Sequence, residues 1–230
     1  MDGYLLVDKP AGISSFGVVA KIRWVLSQEA GHKLKVGHTG TLDPFATGLL
    51  ILVIGSYTKR AAEFSKLDKT YEAELTLGLV SSTGDPEGEI TKFSAHQPTE
   101  TEVKAVLSKF VGQISQIPPA FSAIKIGGQR AYKLARQGKE VKLEPRQVTI
   151  YEISDVCYEY PKLSFSTSVS SGTYIRSLAE DIGNELGTGA YLSTLRRTKV
   201  GQFDIFSAQS LAELGARQKP KLKQALPNYP

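Results

Sequence analysis

The chain has 230 residues, of which 41% are hydrophobic and 22% charged, so it is long enough to bury a sizeable core. No apolar run could cross a bilayer, and the single cysteine, Cys157, excludes an internal disulfide and a cysteine-based metal site. The 28 basic residues exceed the 23 acidic ones, and this net charge of +5 is compatible with a polyanionic partner. We expect a cytoplasmic protein without a membrane anchor or a resident metal.

The first predicted elements are a strand, a turn and a helix. Residues 5–7 are typical of a strand, which stops at the sequence DKPAG. Ser14 or Ser15 then caps a helix with an apolar stripe, and both serines remain candidates for the cap. The stripe is formed by Val18, Val19, Ile22, Val25 and Leu26.

Residues 37–55, with the sequence GHTGTLDPFATGLLILVIG, form the most informative stretch. Its glycines permit tight turns and close approaches, while Pro44 pushes Asp43 toward an extended conformation, so that one carboxylate is held rigidly. The apolar residues 49–54 predict a strand covered on both faces of a sheet. An Asp before a Pro is also a common turn residue that caps its own backbone, and this alternative for Asp43 stays open.

Strand and helix signals are mixed in the rest of the chain. Residues 71–79 alternate between apolar and polar side chains and predict a half-buried strand that begins at Tyr71. Thr99 and Glu102 form a capping box at the start of a helix. The other predictions are a short helix ending at Gly138, strands at 148–158 and 163–169, a helix in SGTYIRSLAEDIGNELG, strands at 192–197 and near GQFDIF, a helix near 208–214, and a loosely held tail at 217–230. Because these elements do not alternate strictly as βαβ units, we predict an α+β fold.

Residues 121–150 are strongly basic. This segment contains seven basic and only two acidic residues, and glycines and a tyrosine lie between them in the sequence. Such a mixture suits contact with phosphates. The alternative is the solvated face of a helix, which most charge runs are.

Several of these stretches resemble one known family. GHTGTLDPFATG is similar to the catalytic motif of the TruB family, whose members turn uridine 55 of transfer RNA into pseudouridine. KPAGISS, SSTGDPEGE, PPAFSAIKIGGQRAYKLARQG and GTYIRSLAED resemble further family motifs, and the resemblance covers roughly residues 3–215. It implies the pseudouridine synthase fold, a mixed and mostly antiparallel central sheet flanked by helices, with the active site in a central cleft. We therefore expect a catalytic domain at 1–215 and a basic tail at 216–230.

The resemblance implies a catalytic group of three residues. Asp43 is the candidate nucleophile, and attack on C1′, addition to C6 and removal of a ribose proton all remain open as its role. Arg176 is expected to face Asp43 and keep it ionised; the alternative is an arginine on the helix surface. Tyr71 would stack on the uracil and would also take the C5 proton, directly or through water.

Four further residues are implied as substrate contacts. Tyr174 would supply a second aromatic surface and Leu195 an apolar wall, although each of the two tyrosines and Leu195 taken alone would be interpreted as core. His38 would contact the loop bases displaced when the uridine is flipped out, or else orient Asp43 through a hydrogen bond. Lys9, together with the basic segment, would meet phosphates.

The reaction and the partner follow from the same resemblance. Isomerisation of uridine needs no redox change, group transfer or external energy, so no cofactor and no metal are expected. The partner is the T-arm of transfer RNA, and we expect a monomer without an obligate protein partner. Bacterial members usually carry a further C-terminal RNA-binding domain beyond the part seen here, so we expect weaker or more salt-sensitive RNA binding.

Other classes of protein fit the sequence less well. The sequence contains no GxSxG, and its two SxxK matches lack the accompanying SDN and KTG motifs, which argues against a serine hydrolase. Glycine-rich nucleotide-binding motifs are also missing. A non-catalytic module that binds or folds transfer RNA stays open, because it would use the same basic surface. A guide-RNA-dependent relative is less expected, because it would need a longer chain.

Overall fold

A computed structural model describes residues 1–122, 124–139, 141–215 and 222–224. The chain divides into two compact units. The first combines Met1–Tyr71 with Leu195–Pro230, and the second is Glu72–Thr194. None of the described helices is long and apolar enough to span a membrane.

The first unit is built on a mixed sheet. Its strands are β1 (Gly3–Lys9), β2 (Val36–His38), β3 (Thr47–Ile54), the start of β4 (Lys69–Leu77), the end of β12 (Ala190–Val200), β13 (Phe203–Asp204) and β14 (Gln209–Ser210). The order β14-β1-β3-β12 has β1 antiparallel to β3, whereas β14 and β12 run parallel to their neighbours. Helices α1 (Ser15–Ala30) and α2 (Ala61–Ser65) belong to this unit, as do 3₁₀ helices at Gly55–Arg60, Ile205–Ser207 and Glu213–Gly215.

The centre of the first unit is β3, whose residues 49–54 are all 1% exposed or less. The predicted strand covered on both faces is therefore confirmed. On one face, alternate residues of β1 and β3 pack against an aromatic cluster, in which the ring of Tyr4 lies 5.5 Å from that of Phe64 and 5.4 Å from that of Phe203. Burial of such side chains contributes roughly 2 kcal/mol each.

Helix α1 begins where the sequence predicts it. Ser14, rather than Ser15, is the N-cap, and its Oγ accepts a hydrogen bond from the Gly17 N–H at 3.0 Å. The helix ends at Ala30, and its C-cap Gly31 has a φ of 70°, which lies in the left-handed region. The predicted stripe is buried except for Val25, which is half-buried.

The second unit contains longer antiparallel strands. It contains the rest of β4, β5 (Leu79–Ser81), β6 (Ile90–Lys92), β7 (Gly112–Gln116), β8 (Lys125–Ile126), β9 (Gln129–Arg130), β10 (Arg146–Glu159), β11 (Lys162–Val169) and the start of β12. The order is β12-β4-β11-β10-β7, with β10 antiparallel to both neighbours, and β5-β6 and β8-β9 form separate two-stranded sheets. The helices are α3 (Glu100–Phe110), α4 (Ala131–Arg136) and α5 (Ile175–Glu185). The predicted capping box of Thr99 and Glu102 is present, and the α+β class with a mostly antiparallel mixed sheet is confirmed.

The predicted helix near residues 208–214 is wrong. Gln209 and Ser210 instead form β14, which pairs in parallel with Val7 and Asp8 of β1. A helical signal exists locally, because the Glu213 N–H donates to Ser210 Oγ at 3.2 Å and the Ser210 N–H donates to Glu213 Oε2 at 2.9 Å. This pair closes only one 3₁₀ turn, since strand pairing takes the preceding residues.

Most of the predicted tail lies outside the described residues, namely 216–221 and 225–230. The part that is described is attached to the sheet. Lys223 exchanges two backbone hydrogen bonds of 2.9 Å with Tyr4 of β1. Residues 222–224 are therefore held against the first unit rather than loosely attached.

Candidate active site

Asp43 lies half-buried in the loop between β2 and β3, and the residue before it is fixed from both sides. The Leu42 N–H donates to Ser15 Oγ at 2.8 Å, while the same hydroxyl donates to the Leu42 carbonyl at 2.9 Å. Leu42 and Ser15 are 3% and 2% exposed. The first turn of α1 thus holds the backbone on the N-terminal side of Asp43 in one position.

The residue after Asp43 is held as well. The Pro44 carbonyl accepts hydrogen bonds from the Gly12 N–H at 2.8 Å and from Lys9 Nζ at 3.2 Å. Lys9 Nζ also donates to the carbonyls of Pro10 at 2.9 Å and Ile13 at 2.8 Å. Lys9 is 0% exposed, so the predicted contact between Lys9 and phosphate is not supported. Its ammonium group instead donates hydrogen bonds to three carbonyl groups, one of which belongs to the Asp43 loop.

The Asp43 loop is held at a third point by Arg197 on β12. The sequence analysis did not predict this residue. Its Nε donates to the Leu49 carbonyl at 2.8 Å and its Nη2 to the Gly40 carbonyl at 3.0 Å. A Cβ on Gly48, whose φ is 102°, would lie 2.3 Å from the Arg197 carbonyl oxygen, so this glycine is required by close packing. A signal existed, because Arg197 follows Leu195 by two residues and so shares its buried face of the strand.

Three other predicted residues lie in the same unit as Asp43. Tyr71 on β4 and Leu195 on β12 are each 8% exposed. The Leu195 carbonyl accepts a hydrogen bond of 3.4 Å from Thr47 Oγ1 at the start of β3. His38 ends β2, opposite Leu52 of β3, and precedes Asp43 by five residues.

Arg176 lies in the second unit, in the first turn of α5, and is 4% exposed. The alternative that it is a helix-surface residue is therefore wrong. Its Nη1 lies 3.3 Å from Asp85 Oδ2 and donates to the Thr83 carbonyl at 2.9 Å, and its Nη2 donates to the Phe121 carbonyl at 2.8 Å. Its predicted pairing with Asp43 stays a prediction.

Asp85 is a second residue that sequence reasoning missed. It is 3% exposed, and its Oδ1 accepts hydrogen bonds from Thr83 Oγ1 at 2.6 Å and from the Glu87 N–H at 3.0 Å. The turn sequence SSTGDPEGE contained this carboxylate, but its partner is 91 positions away along the chain. Burial raises the pKa of the nearby Glu180 carboxyl, and the positive charge of Arg176 opposes that rise.

Tyr174 directly precedes α5 and is fixed through its backbone. Its N–H donates to Gln116 Oε1 at 2.8 Å, and its carbonyl accepts from Gln116 Nε2 at 3.1 Å. One turn later, Ser177 Oγ donates to the Ile117 carbonyl at 2.8 Å. The end of β7 therefore sets the position of both Tyr174 and Arg176, and Gln116 had no signal in the sequence.

The basic segment folds as the β8-β9 hairpin followed by α4. A cavity of about 500 Å³ is lined by Gly128, Gln129, Arg130, Lys133 and Gln137. A glycine backbone next to two exposed cations, Arg130 and Lys133, is suited to a phosphate group. Glu140 and the side chains of Lys125 and Tyr132 lie outside the described part of this segment.

Comparison with known proteins finds one family along most of the chain. The chain matches the family model described as TruB family pseudouridylate synthase (N terminal domain) over residues 23–175, and that of the tRNA pseudouridylate synthase B C-terminal domain over residues 176–226. It is 47% identical to tRNA pseudouridine synthase B of Dechloromonas aromatica (strain RCB), over 93% of this chain and 70% of that protein. It is 45% identical to the protein of the same name from Dehalococcoides mccartyi (strain ATCC BAA-2266 / KCTC 15142 / 195), over 95% of this chain and 71% of that one.

Solved structures show the same fold. One is a chain of a Cbf5-Nop10-Gar1 complex, with a TM-score of 0.70 and 31% identity over 92% of this chain and 53% of that chain. Another is from an H/ACA RNP bound to a substrate RNA containing 2′-deoxyuridine, with a TM-score of 0.67 and 28% identity over 92% and 51%. The chain spans about half the length of these solved chains. Its mixed sheet is that of the pseudouridine synthase fold. Within that class, the chain belongs to the TruB family.

Proposed function

We propose that this chain isomerises uridine 55 in the T-arm of transfer RNA to pseudouridine, with Asp43 as the nucleophile. The observation that carries the proposal is the Asp43 loop, whose flanking backbone is held at Leu42, Pro44 and Gly40 in a member of the TruB family. The relatives named above are tRNA pseudouridine synthases. A carboxylate held this way is oriented before the substrate arrives, which lowers the entropic part of the barrier.

The reaction can be balanced with the residues at hand. The N1–C1′ bond breaks, the uracil turns, C5 bonds to C1′, the C5 proton leaves and N1 ends protonated. Asp43 would stabilise the separated sugar and base by bonding to C1′ or to C6, or would remove a ribose proton. Tyr71 would support the turning ring and help to move the C5 proton away, directly or through water, while N1 gains a proton. The net change needs neither an electron carrier nor a donated group.

The remaining site residues take supporting roles in this proposal. Arg176, oriented by Asp85, would keep Asp43 ionised when the RNA excludes water. Tyr174 would stack on the flipped base, and Leu195 would limit the pocket on its apolar side. His38 would contact the bases displaced from the loop, and the β8-β9 hairpin would meet phosphates.

Three wider predictions belong to the same proposal. They are a cytoplasmic place of action, a monomeric state, and no obligate protein partner. Light scattering of the chain bound to transfer RNA measures the second directly, since a monomer gives a complex with one chain per RNA. A larger stoichiometry would contradict it.

The proposal is tested by Asp43→Asn, which keeps size and hydrogen bonding but removes the charge. We expect pseudouridine formation to fall by more than about 1,000-fold, because no other group replaces the carboxylate. The affinity for transfer RNA should change by less than about three-fold. Asp68→Asn, at an exposed position of the same unit, is the control and should retain full activity.

The same experiment separates the enzyme from the non-catalytic alternative. A module that only binds or folds transfer RNA would form no pseudouridine with the unaltered chain. Its RNA binding would also be unaffected by Asp43→Asn, so the formation of pseudouridine decides between the two. No pseudouridine from the unaltered chain, or equal amounts from the unaltered and the Asp43→Asn chains, would overturn the proposed function.

A further inference from the structure

The outward side of α1 carries two large aromatic side chains that the fold does not use. Phe16 is 63% exposed and Trp24 is 66% exposed. They are eight residues apart, which corresponds to about 12 Å along one side of a helix. The α1 outer face consists of Phe16, Ala20, Lys21, Arg23, Trp24 and Ser27.

Positive charge flanks these two rings. The Arg23 guanidinium carbon lies 5.9 Å from the centroid of the Phe16 ring. Lys21 lies on the other edge of the face, where its Nζ donates to the Leu211 carbonyl at 3.4 Å. Glu29 is the one carboxylate in Ser15–Ala30, all of which is described, and it lies about 140° around the helix from Trp24. The outer face therefore combines aromatic rings and cations with no negative charge.

The face starts beside the candidate active site. Phe16 directly follows Ser15, whose hydroxyl exchanges two hydrogen bonds with Leu42, the neighbour of Asp43. A polymer bound at Asp43 would meet Phe16 first and Trp24 roughly two helical turns later. Since a nucleic-acid strand advances about 3.4 Å per nucleotide, the two rings bracket roughly three nucleotides.

We propose that the α1 outer face is a binding surface for an unpaired strand of the transfer RNA substrate. Phe16 and Trp24 each stack on a base, while Lys21 and Arg23 contact phosphates. Aromatic platforms alternating with cations are the pattern that binds single-stranded nucleic acid without reading its sequence. Small residues at 20 and 27 leave room between the rings for a base. This inference rests on transfer RNA being the substrate.

The sequence provides its own probe, because Trp24 is the one tryptophan among the 230 residues. The chain carrying Asp43→Asn, which does not turn over, is titrated with an unmodified transfer RNA transcript while the tryptophan emission is followed. We expect saturable quenching as Trp24 stacks on a base. Retention of labelled transfer RNA on a filter then measures the dissociation constants of the variants.

Trp24→Ala is expected to weaken binding about 5- to 100-fold, whereas Trp24→Phe keeps a flat ring and most of the affinity. Phe206→Ala is the matched control, because Phe206 is 95% exposed in the same unit but lies outside the face, and we expect no change. Lys21→Ala and Arg23→Ala should each lower the slope of log affinity against log salt by about one.

The inference is overturned if saturating transfer RNA leaves the emission unchanged, or if Trp24→Ala binds like the unaltered chain. A face reserved for a protein partner would give these results. An equal loss with Phe206→Ala would also overturn it, since the effect would not belong to α1. Quenching in this titration, together with no pseudouridine formed by the unaltered chain, would uphold the surface while refuting the proposed enzyme.

Discussion

Three buried polar side chains, Ser15, Lys9 and Arg197, hold the loop that presents Asp43. Each bonds to backbone groups of that loop, so each contributes by replacing the water that these groups would otherwise bind. Burial costs the most free energy for Lys9, because a buried ammonium group is tolerated only when all of its N–H groups have hydrogen-bond acceptors. Three carbonyl groups accept its hydrogen bonds, so the backbone contributes to the solvation of its charge.

Replacing Lys9 by Met tests this role. The variant keeps the volume of the side chain but leaves the carbonyls of Pro10, Ile13 and Pro44 without their shared donor. We expect the free energy of unfolding to fall by about 3 kcal/mol, as measured by urea denaturation. Lys66→Met, at an exposed position of the same unit, should change it by less than about 0.5 kcal/mol. Equal effects of the two substitutions would mean that Lys9 has no special structural role.

At the scale of elements, two adjacent serines at the start of α1 have different functions. Ser14 caps the helix, whereas Ser15 holds Leu42. The two residues are adjacent and chemically identical, so they form a natural matched pair. The first turn of this helix is thus both a structural cap and the support of the candidate catalytic loop.

Ser15→Ala is expected to lower the rate of isomerisation at saturating RNA by roughly 10- to 100-fold, because Asp43 loses its fixed position. Ser14→Ala should cost about 1 kcal/mol of stability and leave that rate unchanged. Single-turnover kinetics on the folded fraction separates the two effects. A rate lost equally in both variants would show that the Ser15 clamp does not position Asp43.

The elements that the sequence predicted well are those specified by neighbouring residues. The α1 stripe, the capping box at Thr99 and the apolar run of β3 each depend on a local pattern. The helix near 208–214 was wrong because its start pairs with β1, about 200 positions earlier. A contact between such distant residues cannot be recognised from a short stretch of sequence.

In the candidate site, too, the sequence predicted what depends on neighbouring residues and not what depends on distant ones. Asp43 was found because its motif is continuous in the sequence. Arg197, Asp85 and Gln116 were missed because each bonds to a residue 58 to 157 positions away in another part of the fold. The phosphate role predicted for Lys9 was not supported because sequence reveals the charge of a lysine but not its burial.

At the scale of the whole molecule, the chain leaves the first unit after Tyr71 and returns to it at Leu195. Asp43 belongs to the first unit, and Arg176 belongs to the second. The family membership covers both units, because the two matched regions together extend from residue 23 to residue 226.

The most direct measurement is the position of pseudouridine in a transfer RNA transcript incubated with the purified chain and no added cofactor. Chemical derivatisation of pseudouridine followed by primer extension maps every isomerised uridine. The account predicts one modified site, at uridine 55, and none with the Asp43→Asn chain. A transcript that remains unmodified, or one modified equally by the Asp43→Asn chain, would contradict the account.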